Sequence, residues 1–219
     1  MSGINQIAIE RTYQVWAKLY EWLVPAYLLG NEGQLRRETI RALELHPGQA
    51  VLDVGCGTGR NFPFILEKIG PTGRLVGVDY TPAMLDQAGR RVDRQGWGNV
   101  QLVQADASKL DLEEKFDAAL STLAMSVIPD YESALERMRT HLLPGGRMAI
   151  ADAKRSTRWY ARPFNFVADL LGWGAAADMT RRIWIDVQAQ VDDYFYREWF
   201  MGFFYVAAGR IKERERASS

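Results

Sequence analysis

Residues 50–59 read Ala-Val-Leu-Asp-Val-Gly-Cys-Gly-Thr-Gly, an apolar run that ends in a glycine-rich turn. Five β-favouring residues followed at once by three glycines in alternate positions describe a buried strand turning sharply into a helix. Working outward, the same alternation repeats. RLVGVD (74–79), VQLVQAD (100–106), FDAALST (116–122) and GGRMAIADA (145–153) read as further short strands. Helical patterns fall between them at about 60–69, 82–94 and 130–142. Thr81-Pro82 and Pro129-Asp130 supply helix starts, and Leu143-Pro144-Gly145-Gly146 supplies a stop. Strands alternating with helices imply right-handed βαβ units and a parallel sheet.

The flanks differ. Residues 4–44 read as two helices broken around Gly30–Gly33, and 154–192 as an Arg- and aromatic-rich helical cover. YFYREWF (194–200) and GFFYVAAGR (202–210) read as two strands joined at Met201-Gly202. The expected organisation is an N-terminal helical lid at 1–46, an α/β core at 47–211 and a frayed tail at 212–219. The 219 residues carry 27 basic and 27 acidic side chains, a balance that argues against broad nucleic-acid binding. Cys56 is the only cysteine, so no intramolecular disulfide can form. Residues 1–14 lack the pattern of a signal peptide, and no run of about 18 apolar residues exists to span a membrane. A cytoplasmic location is expected, with a peripheral contact at an anionic inner-membrane face as a further option.

The glycine turn alone could serve plain strand–helix packing or any nucleotide. Its acidic companions narrow the choice. Asp79 closes the second strand, where a carboxylate can accept ribose hydroxyls, and Asp106 closes the third, near an adenine edge. A dinucleotide loop spaces its glycines G-x-G-x-x-G, whereas this one is a residue tighter at Gly57-Thr58-Gly59. Asp53 before the first glycine suits an amino-acid ammonium better than a diphosphate. These features favour S-adenosylmethionine, and no metal site is expected.

VLDVGCGTGRN, LVGVDYTPAMLDQA, VQLVQADASKL, FDAALSTLAMSVIPDYESAL and LLPGGRMAIADA, across about residues 48–153, resemble the successive motifs of class I S-adenosylmethionine-dependent methyltransferases. The resemblance implies a Rossmann-like, seven-stranded sheet, mostly parallel with an antiparallel last strand and helices on both faces. It implies a cofactor site at Asp53, Gly55, Cys56, Gly57, Thr58, Gly59, Asn61, Asp79, Tyr80, Met84, Asp106, Ala107, Ser121 and Thr122. Tyr13-Gln-Val-Trp16-Ala-Lys-Leu-Tyr20-Glu21 resembles the opening of the ubiquinone/menaquinone and bacterial phosphatidylethanolamine methyltransferases, with Glu21 where that group has aspartate. Tyr13 and Tyr20 would then lie near the methyl group. The same aromatics also follow the spacing of a packed amphipathic helix.

Many relatives carry a histidine pair after the fourth strand. Here Ser126 and Val127 stand there, so no histidine base is expected at that place, and His46 and His141 read as surface or packing residues. Proton acceptance would fall to Tyr13, Tyr20 or, through water, Asp152. Trp16, Arg155, Arg158, Tyr160 and Arg182 are candidates for the acceptor, since arginine forks suit phosphate and aromatics suit a membrane interface. The leading expectation is a lipid head-group amine at the membrane surface. A quinone-like or small aromatic acceptor methylated on oxygen or carbon is the alternative, and a non-catalytic S-adenosylmethionine-binding regulator is the third.

Overall fold

The structure is a computed structural model and describes residues 32–162, 165 and 177–212. Its centre is β1 (Ala50–Val54), in which Val51, Leu52, Asp53 and Val54 are all fully buried. A strand buried on both faces must be flanked by strands at both edges and helices on both sides. β2 (Arg74–Asp79) and β4 (Phe116–Thr122) flank it in parallel, and β3 (Val100–Gln104) pairs outside β2. β5 (Leu142–Ala153) lies parallel beside β4. β7 (Phe204–Ile211) runs antiparallel to both β5 and the edge strand β6 (Val191–Trp199). The sheet order is therefore β3-β2-β1-β4-β5-β7-β6, seven strands with β7 alone reversed.

Alternate residues of β1 face opposite layers, as the pleat requires. Val51 joins the layer built with Ile40, Ile65, Ile69 and Ala88 from α1 (Glu32–Ala42), α2 (Phe62–Ile69) and α3 (Pro82–Gln95). Leu52 and Val54 join the other, with Leu135, Met138, Ile183 and Val187 from α4 (Tyr131–Thr140) and α5 (Ile183–Gln190). The Rossmann-like fold with helices on both faces is as expected.

The helix starts read from sequence also hold. Pro82 opens α3 after Thr81, and Asp130 caps α4 by accepting from Ser133 N at 3.1 Å. Two boundaries moved. β5 begins at Leu142, three residues before the expected start, because Pro144-Gly145-Gly146 forms an irregularity within the strand and not a stop. The β6–β7 connection is a 3-10 turn over Phe200–Gly202, with Phe200, Met201 and Gly202 all at positive φ. The first of the two N-terminal helices, with Tyr13, Trp16 and Tyr20, lies outside the described residues, as do residues 163–164 and 166–176 of the expected cover segment. No helix among the described residues is long and apolar enough to cross a membrane.

The two histidines take the roles expected of them. His46 is exposed, whereas His141 is buried and links two elements: Nε2 accepts from Leu112 N at 2.8 Å and Nδ1 donates to Arg137 O at 2.7 Å. His141→Ala should lower stability by about 1–3 kcal/mol, because it strands a part-buried N–H. Denaturant unfolding checks this, and cofactor binding should be unchanged.

Candidate functional site

The glycine turn after β1 is shaped by what presses on it. Gly55, Gly57 and Gly59 all have positive φ, between 56° and 74°. A Cβ on Gly55 would sit 2.4 Å from Ala124 Cβ, and one on Gly59 would sit 2.6 Å from a ring carbon of Phe62. A Cβ on Gly57 would meet nothing within 4 Å, so this residue faces open space. That space is a cleft at the carboxyl ends of β1 to β4, where open α/β sheets hold ligands. Its empty space, which includes open solvent, is about 770 Å³.

Gly55, Gly57, Asp79, Tyr80, Met84, Asp106 and Ala107, seven of the candidate cofactor residues, line the cleft together. Asp79 is the pivot between strand and loop: Oδ2 accepts from Gly57 N at 2.8 Å and Oδ1 from Thr81 N at 2.9 Å. Burial raises its carboxyl above the usual value, while these N–H groups oppose the rise. Asp106 accepts from Ser108 N at 3.0 Å and Ser108 Oγ at 2.7 Å, which fixes the turn of Ala107 beneath the cleft.

The other expected cofactor residues stand behind the loop. Cys56 is buried, with its Sγ 3.1 Å from where a Cβ on Gly77 would lie, and burial pushes its thiol well up. Thr58 is buried, and its carbonyl accepts from Arg91 Nε at 2.9 Å. Asn61 is fully buried and spends its amide on Asp53, donating 3.0 Å bonds to both carboxylate oxygens. Arg36 of α1 completes this network, donating to Asn61 Oδ1 and Thr122 Oγ1 at 2.7 Å each and to Glu32 Oε1 at 2.7 Å. Arg60 also pairs with Glu32, at 2.8 Å. Asp53 feels burial most: its carboxyl is raised to about 7, although Asn61 and Arg36 pull it down. Ser121 Oγ is buried and has no partner among the described residues.

Sequence reasoning missed the opposite wall, built from Leu123, Ala124, Val127, Ile128 and Pro129. Leu123 sits at φ 58°, strained for a residue with a side chain, and its N–H is held by Ala151 O at 2.8 Å. Asp152, an expected proton acceptor, lies under this wall. It is 1% exposed, and its oxygens accept from Ser126 N and Ser126 Oγ at 2.8 Å and from Ala153 N at 2.7 Å. Burial raises its carboxyl to about 6.

Trp16 lies outside the described residues, and the other four expected acceptor residues do not line the cleft. Arg155 and Arg182 are exposed, and Arg158 is exposed with its guanidinium 3.2 Å from Glu198 Oε2. Tyr160 is 42% exposed and stacks edge-on against Trp159 at 5.8 Å. A part-buried pair that the sequence did not announce lies near them: Lys154 Nζ is 2.5 Å from Glu198 Oε1 and 4.9 Å over the Trp184 ring. Burial disfavours the Glu198 charge, but bonds from Lys154 and Tyr196 outweigh it and hold the carboxyl below its usual range.

Residues 51–146 match the family model described as a methyltransferase domain. A demethylmenaquinone methyltransferase of Lactobacillus johnsonii is 25% identical over 97% of this chain and 86% of its own length. That of Geobacillus kaustophilus is 26% identical over 85% of this chain and 84% of its own. Among solved structures, a SAM-dependent methyltransferase from Aquifex aeolicus covers 81% of this chain and 89% of its own at a TM-score of 0.61 and 19% identity. A DhpI–SAH complex covers 93% of this chain and 95% of its own at 0.67 and 18% identity. Strand order, the glycine loop and the acidic residues at the strand ends agree with these matches: residues 51–146 carry the methyltransferase-domain match, and the chain is similar to class I S-adenosylmethionine-dependent methyltransferases.

Proposed function

We propose that the chain methylates a quinone-derived aromatic ring in its reduced, dihydroxy form. The observation that carries this reading is the match of 97% of the chain to a demethylmenaquinone methyltransferase, flanks included. It displaces the lipid head-group amine favoured by the sequence alone, because the relatives described above are named for a demethylmenaquinone acceptor.

In this reading Asp79 accepts the ribose hydroxyls, the Asp106–Ala107 turn meets the adenine edge and Gly55 and Gly57 lie along the methionine part. Met84 and the Leu123–Pro129 wall supply apolar contact to the adenosine half. S-adenosylmethionine supplies an electrophilic methyl. On the acceptor, loss of a ring hydroxyl proton makes the adjacent carbon nucleophilic. That carbon attacks the methyl, the sulfonium leaves as a thioether, and loss of the ring hydrogen restores aromaticity. Orientation in a closed pocket contributes much of such a rate, on the order of 7–11 kcal/mol for well-placed reactants. Asp152 serves this chemistry through the wall it anchors, because its oxygens are already engaged by Ser126 and Ala153. Tyr13 and Tyr20 remain the candidates to take the hydroxyl proton, and Trp16 remains a candidate to contact the acceptor.

Methyl-labelled S-adenosylmethionine incubated with a reduced demethylated naphthoquinone should yield labelled quinone. Label in phosphatidylethanolamine vesicles offered in parallel, with none in the quinone, would overturn the reading.

A further inference from the structure

The cleft wall Leu123–Pro129 is almost free of side-chain polarity, yet its backbone carbonyls must be satisfied. Only a short turn forms within it, through Val127 N and Ile128 N on Ala124 O at 3.0 and 3.1 Å. The carbonyls of Met125, Ile128 and Pro129 all receive bonds from one side chain, Arg181 of the cover segment. Nη1 donates to Met125 O at 3.0 Å and Ile128 O at 2.5 Å, and Nη2 to Pro129 O at 3.1 Å. The guanidinium is itself fixed. Asp178 Oδ2 lies 3.4 Å from Nε, and the Tyr131 ring lies 4.8 Å from the guanidinium carbon. Asp178 N adds a 2.9 Å bond to Ser126 O, and Tyr131 OH is tied to Asp186 at 3.1 Å. From the sheet side, Asp152 holds Ser126 by two bonds of 2.8 Å.

We propose that Arg181 is a positioning residue for the cofactor cleft, setting the wall against which the adenosine half of S-adenosylmethionine packs. The assignment rests on the cleft being the cofactor site. The wall is clamped between a carboxylate beneath and a guanidinium outside, so its apolar side chains are presented to the cleft before any ligand arrives. A planar five-donor fork can address three carbonyls at once, which the compact ammonium of lysine cannot. Arg181 does not itself line the cleft, and its influence passes through the backbone carbonyls of Met125, Ile128 and Pro129.

The test is S-adenosylhomocysteine affinity by calorimetry, with kcat, KM and thermal unfolding, in Arg181→Gln, Arg181→Lys and Asp178→Asn. Arg181→Gln should weaken affinity and raise the KM for S-adenosylmethionine by about tenfold or more, a change of one or more decades in the constant. kcat at saturating cofactor should stay within about threefold, because the transition-state contacts are intact. Arg181→Lys should recover only part of the affinity. Asp178→Asn, which leaves the guanidinium but loosens it, should give a smaller loss in the same direction and guards against failure of Arg181→Gln to fold. A lowered melting temperature with unchanged affinity in the folded variants overturns the proposal. A wild-type chain that does not bind S-adenosylhomocysteine overturns the cofactor reading beneath it.

Discussion

Asp79→Ala should reduce affinity for S-adenosylmethionine at least a hundredfold while leaving a folded chain. Two of the lone-pair positions on the Asp79 carboxylate are used within the protein, by Gly57 N at 2.8 Å and Thr81 N at 2.9 Å. A carboxylate has roughly four such positions, so two remain for the vicinal hydroxyls of a ribose at the cleft surface. Hydrogen bonds to a charged acceptor are worth about 1.5–3 kcal/mol each, so losing two costs about 3–6 kcal/mol of binding, or two to four decades. The alanine also releases Gly57 N, whose position fixes the loop along the methionine part. Asp79→Asn keeps the shape but not the charge and should fall between alanine and wild type. Calorimetry with S-adenosylhomocysteine measures both variants. An Asp79→Ala affinity within about threefold of wild type would remove Asp79 from the ribose assignment.

The sheet was readable because each central strand is a short, continuous apolar run set off by turn chemistry. RLVGVD and FDAALST coincide with β2 and β4 at both ends. The miss at β5 has a physical cause in Gly145 and Gly146. Proline and two glycines usually end an element, but here they carry the chain through an irregularity. A Cβ on Gly146 would meet Leu143 O at 2.9 Å and Asp117 O at 3.0 Å, so glycine lets the strands approach.

The cofactor residues were half readable for a related reason. A motif names a run of neighbours, but consecutive residues of a tight turn point in opposite directions. Gly55 and Gly57 face the cleft, while Cys56, Thr58 and Asn61 face the core. The supporting residues were not readable at all. Arg36 bonds to residues 25 and 86 positions away, and Arg181 reaches 52 to 56 positions back to its carbonyls. No local pattern in sequence encodes contacts of that range. Leu123 carried no signal either, since a leucine at positive φ breaks the propensity rule by which such positions are found.

Asp53 predicts how the stability of the cofactor-free chain should depend on pH. Its carboxyl is raised from the ordinary 3.8 to about 7, with burial the largest cause, the Asn61 bond and Arg36 opposing, and Asp79 adding to the rise. Between those two values the native state holds a proton on Asp53 that the unfolded chain has released. The unfolded state therefore binds fewer protons there, and stability falls as pH rises. The contribution is fully present below 3.8 and is lost by pH 7, and the interval corresponds to about 4 kcal/mol. Asp152, raised to about 6 by burial, acts in the same direction with about 3 kcal/mol. Asp53→Asn removes the titration and keeps one carbonyl oxygen to accept from Asn61. Urea unfolding at about pH 5 and pH 8 should therefore show wild type losing stability across the interval, with the variant losing about 2.5–3 kcal/mol less, since part of the Asp53 contribution is already gone at pH 5. Equal losses in the two proteins would mean that Asp53 is ionised throughout, held by Asn61 and Arg36 more strongly than burial opposes it.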